Sequence, residues 1–175
     1  MFALSLMTLS LTGMAVFNAK TAWAEGFMQA LGGLLERHAN DHVLVIAQYL
    51  DQIAHVGRLA QAPVITGDTP NVERERLYAA FRTGETPVLV VSKVANFAVD
   101  LPEANVAIEL SGTFGSRQEE AQRLGRVLRP KADGGQAHFY ALVSQDTVDQ
   151  KFADHRQLFL IEQGYRYRIE DFIPA

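Results

Sequence analysis

Short, uninterrupted apolar runs, each followed by a segment of helical periodicity, constrain this chain more than any other feature. Val43-Leu44-Val45-Ile46 is the clearest of them. A β-branched run without polar alternation, too short for a helix, reads as a strand buried on both faces. Pro63-Val64-Ile65, Val88 to Val91, Val106 to Leu110 and Ala137 to Val143 repeat the pattern. Between and around them lie helical segments. Thr21 to His38 carries Phe27, Ala30, Leu31, Leu34 and Leu35 at helical spacing, Tyr49 to Leu59 is similar, and Asn71 to Phe81 is a charged amphipathic helix after the Gly67-Asp68-Thr69-Pro70 turn. Further helices are predicted over Ser116 to Leu128 and Thr147 to Glu162, the latter stopped by Gly164. Strands alternating with helices imply right-handed βαβ units. The expectation is one α/β domain with a parallel sheet of about five or six strands and helices on both faces. Ligands gather at the carboxyl ends of such strands, which nominates Gly67 to Thr69, Ser92 to Asp100 and Ser111 to Arg117 as site loops.

Composition narrows the function classes. The absence of cysteine excludes disulfides, thiolate metal sites and a thiol nucleophile. Sixteen Lys and Arg against 20 Asp and Glu give a net charge of −4, which excludes coating of nucleic acid by bulk charge. No Pro/Gly/Ser linker, repeat or low-complexity tract divides the 175 residues, and their number suits one domain.

The first residues stand apart. Met1 to Phe17 holds no charge, and Lys20 is the first cation. Ala22-Trp23-Ala24 fits a small-x-small leader cleavage pattern, yet nothing basic precedes the apolar run. The run is marginal for spanning a bilayer. Ser5, Thr8 and Thr12 would form one polar stripe on a helix, which makes a core-facing helix the plainer reading. Residues 1–19 are therefore set apart as an atypical apolar segment (helix, leader-like or introduced sequence), and 20–175 as the domain.

The richest stretch runs from Gly115 to Lys131, where Arg117, Arg123, Arg126, Arg129 and Lys131 oppose only Glu119 and Glu120. On a helix Gln122, Arg126 and Arg129 share one face, and Gly125 lets another surface approach. Two guanidiniums and an amide on one face suit a polyphosphate. The plainer alternative is a solvated helix with a Glu119–Arg123 pair, which leaves helix-weakening Gly125 unexplained.

Gln122-Arg-Leu-Gly-Arg-Val-Leu-Arg129 resembles the sixth motif of superfamily 2 helicases, and its flanks resemble the XPB helicases in particular. Val91-Ser-Lys-Val-Ala-Asn-Phe-Ala-Val-Asp-Leu-Pro-Glu-Ala-Asn105 is similar to the fifth motif in its XPB form. Val43 to Ile53 resembles the fourth, and Gly67-Asp-Thr with Arg74 and Phe81 resembles the segment after it. Ala98 departs from the broader pattern, which has Gly there.

The resemblance covers about Lys20 to Ile169. It implies the second RecA-like lobe of an ATP-driven DNA translocase that unwinds duplex 3′ to 5′ in repair or transcription-linked work. By motif, Arg126 and Arg129 would face ATP bound on a first lobe, with Arg129 the preferred arginine finger. Such a finger stabilises charge on the transferring phosphoryl group. Gln122 and Gly125 would couple nucleotide to lobe closure, and Asp100 would lie near the ribose or the arginine network. Gly67, Thr69, Ser92 and Lys93 would contact DNA phosphates without reading sequence. The implied partners are DNA, an N-terminal helicase lobe, and nuclease or repair proteins, in the cytoplasm and away from membranes.

No Gly-Lys-Ser or Gly-Lys-Thr occurs, and no acidic pair follows a buried strand. ATP and magnesium would thus be held mainly by the first lobe, and this chain alone is expected not to hydrolyse ATP. The alternative is a stand-alone DNA-binding or regulatory RecA-like module without ATPase activity. A third reading, an exported α/β protein, rests only on the first 24 residues. His38 and His42 have metal-ligand spacing on a helix, but Asn40-Asp41 reads as a helix end that would break it. No Ser-His-Asp or paired-carboxylate site stands out. Tyr165, Tyr167 and Phe172 are expected to pack a final edge strand rather than stack bases.

Overall fold

A computed structural model describes residues 4–7, 14–18, 25–92, 101, 103–110, 137–143, 161–162 and 167–172. Its centre is the five runs singled out above: β3 (Val43–Ala47), β4 (Val64–Ile65), β5 (Val88–Ser92), β6 (Val106–Leu110) and β7 (His138–Val143). They pair in the order β4-β5-β3-β6-β7, all parallel. Burial on both faces explains why these runs lack polar alternation. Val43, Val45 and Ala47 face one way, into a core with Phe27, Ala30, Leu31, Leu34, Ile53 and Val56. Leu44 and Ile46 face the other, with Leu77, Tyr78 and Phe81. Helices α1 (Glu25–Arg37) and α2 (Leu50–Ala60) therefore cover one face, and α3 (Asn71–Thr83) covers the opposite one.

Local chemistry sets the helix ends. Backbone at Gln61 adopts the left-handed conformation at φ 48°, and the Ala62 N–H closes α2 on the Gly57 carbonyl at 3.0 Å. At the end of α3, Gly84 takes φ +79°, where a side chain would be strained and its Cβ would sit 3.2 Å from the His42 ring.

The N-terminal segment departs from the helix expected of it. Within residues 1–19 the described stretches are strands, β1 (Leu4–Met7) and β2 (Met14–Asn18). Gly13 and the threonines at 8 and 12 weaken a helix, and β2 finds an extended partner, pairing parallel with β7 from Met14↔Phe139 to Asn18↔Val143. Strand β8 (Tyr167–Phe172) is present as foreseen, but it is not an edge. It lies between β1, to which it is antiparallel, and β2, to which it is parallel. The two N-terminal strands raise the sheet to eight strands, in the order β1-β8-β2-β7-β6-β3-β5-β4.

Candidate functional site at the carboxyl edge of the sheet

Strand β3 is flanked by β5 on one side and β6 on the other, so the chain reverses its winding direction at β3. Such a switch point opens a crevice at the carboxyl ends of the strands. Here those ends form one row: Ala47 registers with Ser92 of β5 and with Leu110 of β6, and Leu110 registers with Leu142 of β7. The chain leaves β5 at Ser92 and β6 at Leu110 to enter the segments that carry Lys93 and Asp100, and Gln122, Gly125, Arg126 and Arg129. These six candidate residues lie outside the described residues, as does the predicted 116–128 helix.

The loop after β4 is built tightly. The Thr69 N–H donates to the Thr66 carbonyl at 3.3 Å, and the Thr66 N–H donates to the Thr69 hydroxyl oxygen at 2.9 Å. From the first turn of α3, Arg74 reaches back under this turn. Its Nη2 donates to the carbonyls of Thr66 at 3.2 Å, Gly67 at 3.4 Å and Thr69 at 3.2 Å. Gly67 is exposed and Thr69 half-buried. Because Thr69 Oγ1 accepts from within the loop, its own proton remains to be donated outward. Ser92 is different: it is only 5% exposed, and it occupies the β5 end beside Ala47.

Two residues near this edge are not singled out by the sequence pattern itself. Glu109 is 1% exposed within β6, in register with Ile46 and Ala141, one residue short of the carboxyl row. A carboxylate inside an otherwise apolar run was the available signal. Arg74 entered only as part of a resemblance; a cation one turn after a Gly-Asp-Thr-Pro turn was its signal.

A second polar cluster occupies the opposite, amino edge. Helix α1 stops at Arg37, so His38 and His42 do not share a helical face. His38 Nδ1 meets Asp41 Oδ2 at 2.8 Å, and its Nε2 meets the Tyr140 hydroxyl at 2.7 Å. Asn105 extends the cluster, donating from Nδ2 to Asp41 Oδ1 and accepting the His42 N–H at 2.7 Å. The His138 ring lies 5.2 Å from that of His38, and burial is the first cause holding its pKa below the usual histidine value; His38 adds to the effect. Among the described residues, no three metal-ligating side chains gather. Nor is any helix there long and apolar enough to cross a membrane.

Comparison with known proteins bears on this architecture. The ERCC3/RAD25/XPB C-terminal helicase family profile matches residues 27–173. The chain is 63% identical over 138 residues to "DNA 3'-5' helicase XPB" of Kineococcus radiotolerans, and 61% identical over 138 residues to the protein of that name from Mycobacterium tuberculosis. Each alignment covers 79% of this chain and 25% of the relative, so the chain spans about a quarter of their length. A Drosophila melanogaster "General transcription and DNA repair factor IIH helicase/translocase subunit XPB" is 41% identical over 134 residues, covering 74% of this chain and 17% of that protein. Among solved structures, the C-terminal domain of the DEAD-box protein Dbp5 superposes with a TM-score of 0.66 at 16% identity, covering 85% of this chain and 83% of that one. The Pyrococcus furiosus Hef helicase domain gives 0.58 at 21% identity, over 74% of this chain and 28% of the other. This chain belongs to the ERCC3/RAD25/XPB helicase family and carries that family's C-terminal, RecA-like domain.

Proposed function

We propose that this chain supplies the second lobe of an ATP-dependent 3′–5′ DNA helicase or translocase of XPB type. One observation supports it most directly. The Gly67–Thr69 loop and the strand ends that lead into the fifth- and sixth-motif segments share the carboxyl edge at the switch point. In this reading Gly67, Thr69, Ser92 and Lys93 hold DNA by its phosphates, which positions the strand without reading its sequence. Arg126 and Arg129 face ATP held with magnesium on a first lobe, Arg129 as the finger, while Asp100, Gln122 and Gly125 link nucleotide to lobe closure. In this reading the edge contributes phosphate donors such as the Thr69 hydroxyl, and the metal and most nucleotide contacts fall to the first lobe. ATP, when bound there, supplies the phosphoryl transfer that drives movement.

An XPB first lobe supplied in trans tests this reading. DNA-stimulated ATP hydrolysis should require both pieces, and Arg129→Ala should lower it by about 10³-fold or more. Unchanged hydrolysis in Arg129→Ala would remove the finger assignment. DNA binding by this chain with no hydrolysis under any pairing would instead favour a stand-alone binding module.

A further inference from the structure

We propose that Arg74 is a positioning residue for phosphate contact: it turns the carbonyls of the 66–69 loop inward, so that the Gly67 and Asp68 N–H groups face a nucleic-acid phosphate. The inference rests on the DNA-contact reading above and adds a residue and a device to it. Its geometry is simple. A peptide unit is planar and trans, so its N–H points opposite to its C=O. Arg74 Nη2 draws the Thr66 and Gly67 carbonyls to 3.2 Å and 3.4 Å. The N–H groups of Gly67 and Asp68, which belong to those same two peptide units, must therefore point away from the guanidinium. Successive N–H groups turned to one side form an anion-binding concavity. The Thr69 hydroxyl, fixed by the Thr66 N–H at 2.9 Å, adds a third donor to the same loop.

Arg74 is poorly explained as a purely stabilising residue. No carboxylate pairs with it among the described residues, in contrast to Arg76, which grips Glu73 at 2.7 Å. The Arg74 Nε is buried without a hydrogen-bond partner there, a cost a scaffold arginine would ordinarily avoid. Asp68 is exposed on that loop and can turn its carboxylate to solvent while its N–H stays fixed.

The test uses the whole 175-residue chain and a short fluorescent oligothymidine, with affinity read by anisotropy across a salt series. Arg74→Ala and Thr69→Val should each weaken binding, Arg74→Ala by about tenfold, the equivalent of one or two lost hydrogen bonds. The double variant should be no weaker than the worse single one, because both act through one loop. The salt slope should not change in Arg74→Ala. A slope shallower by about 0.7, one phosphate's worth on a single strand, would show that Arg74 touches phosphate itself and would overturn the positioning role. Additive losses, or unchanged binding in Arg74→Ala, would also overturn it while leaving the DNA-contact reading intact. No binding by the parent chain, or no loss in Thr69→Val, would sink that reading itself. Should Arg74→Ala fail to fold, Arg74→Gln serves. The Gly67 and Asp68 amide resonances should shift on adding oligothymidine to the parent and not to this variant, and shifts in both would refute the proposal.

Discussion

His38 and Tyr140, 102 residues apart in the chain, share a buried 2.7 Å hydrogen bond that ties the end of α1 to β7. His38 Nδ1 also meets Asp41 Oδ2 at 2.8 Å, so both ring nitrogens are engaged and the ring is held in one orientation. Asn105 then links Asp41 to the start of β6. The amino edge is thus fastened by polar bonds, at the opposite end of the sheet from the candidate site.

Removing the hydroxyl tests this division. Tyr140→Phe keeps the ring in the core but strands His38 Nε2 without its hydroxyl partner. It should cost about 1–3 kcal/mol in urea-induced unfolding, the penalty for an unsatisfied buried polar atom. Oligothymidine affinity should hold, since the bond lies at the far edge of the sheet.

His138 gives the same edge a pH dependence. Burial, then the neighbouring His38, favours its neutral form, so the folded pKa lies below the unfolded value near 6.5. Unfolding therefore takes up a proton as the pH drops past that value. The stabilisation is complete above it and is lost as the pH falls toward the folded pKa. Stability measured by denaturant from about pH 7.5 to 5.5 should decline, with a His138 share no steeper than about 1.4 kcal/mol per pH unit. His138→Gln should flatten that share of the slope; an unaltered slope would assign it to other groups.

The parallel strands were legible from sequence because burial on both faces makes β3, β5 and β7 predominantly apolar runs, with Ser92 and His138 only at strand ends. Glu109 in β6 is the charged exception, one residue from the carboxyl end of its strand. Helices α1, α2 and α3 were legible because their apolar residues recur at the spacing that buries Phe27, Ile53 or Leu77. Before Lys20 the local pattern and the described strands diverge. Ser5, Thr8 and Thr12 fit a helical stripe in the sequence, whereas β1 and β2 are extended through pairing with each other, β7 and β8. Partners distant in sequence were illegible for the same reason: nothing local to His38 announces Tyr140 or Asn105. The Gly67–Thr69 loop was found by its turn residues and by resemblance, but the grip of Arg74 on it depends on how α3 is aimed.

Gly57 in α2 offers a test in which two effects oppose each other. Alanine in place of glycine favours a helix by about 1 kcal/mol. Here, however, a Cβ would meet the Val64 Cγ2 of β4 at 2.5 Å. Valine is stiff about χ1 and cannot swing aside cheaply, and overpacking of this kind costs about 1–3 kcal/mol. Gly57→Ala should therefore be net destabilising in thermal or urea unfolding. Adding Val64→Ala should recover part of the loss, leaving the double variant more stable than the two single effects summed.

Ser92 and Thr69 were nominated together as phosphate contacts, and their surroundings rank them. Ser92 is 5% exposed at the end of β5, whereas Thr69 stands half-buried on a loop whose carbonyls are already held inward. A hydroxyl with almost no accessible surface meets a phosphate only if its neighbours move, and that movement subtracts from the affinity gained. Thr69→Val should therefore weaken oligothymidine binding severalfold more than Ser92→Ala does, with the melting temperatures of both variants recorded alongside. A larger loss in Ser92→Ala would mean that the β5 end opens on binding, and the principal contact would then move from the β4 loop to the β5 end.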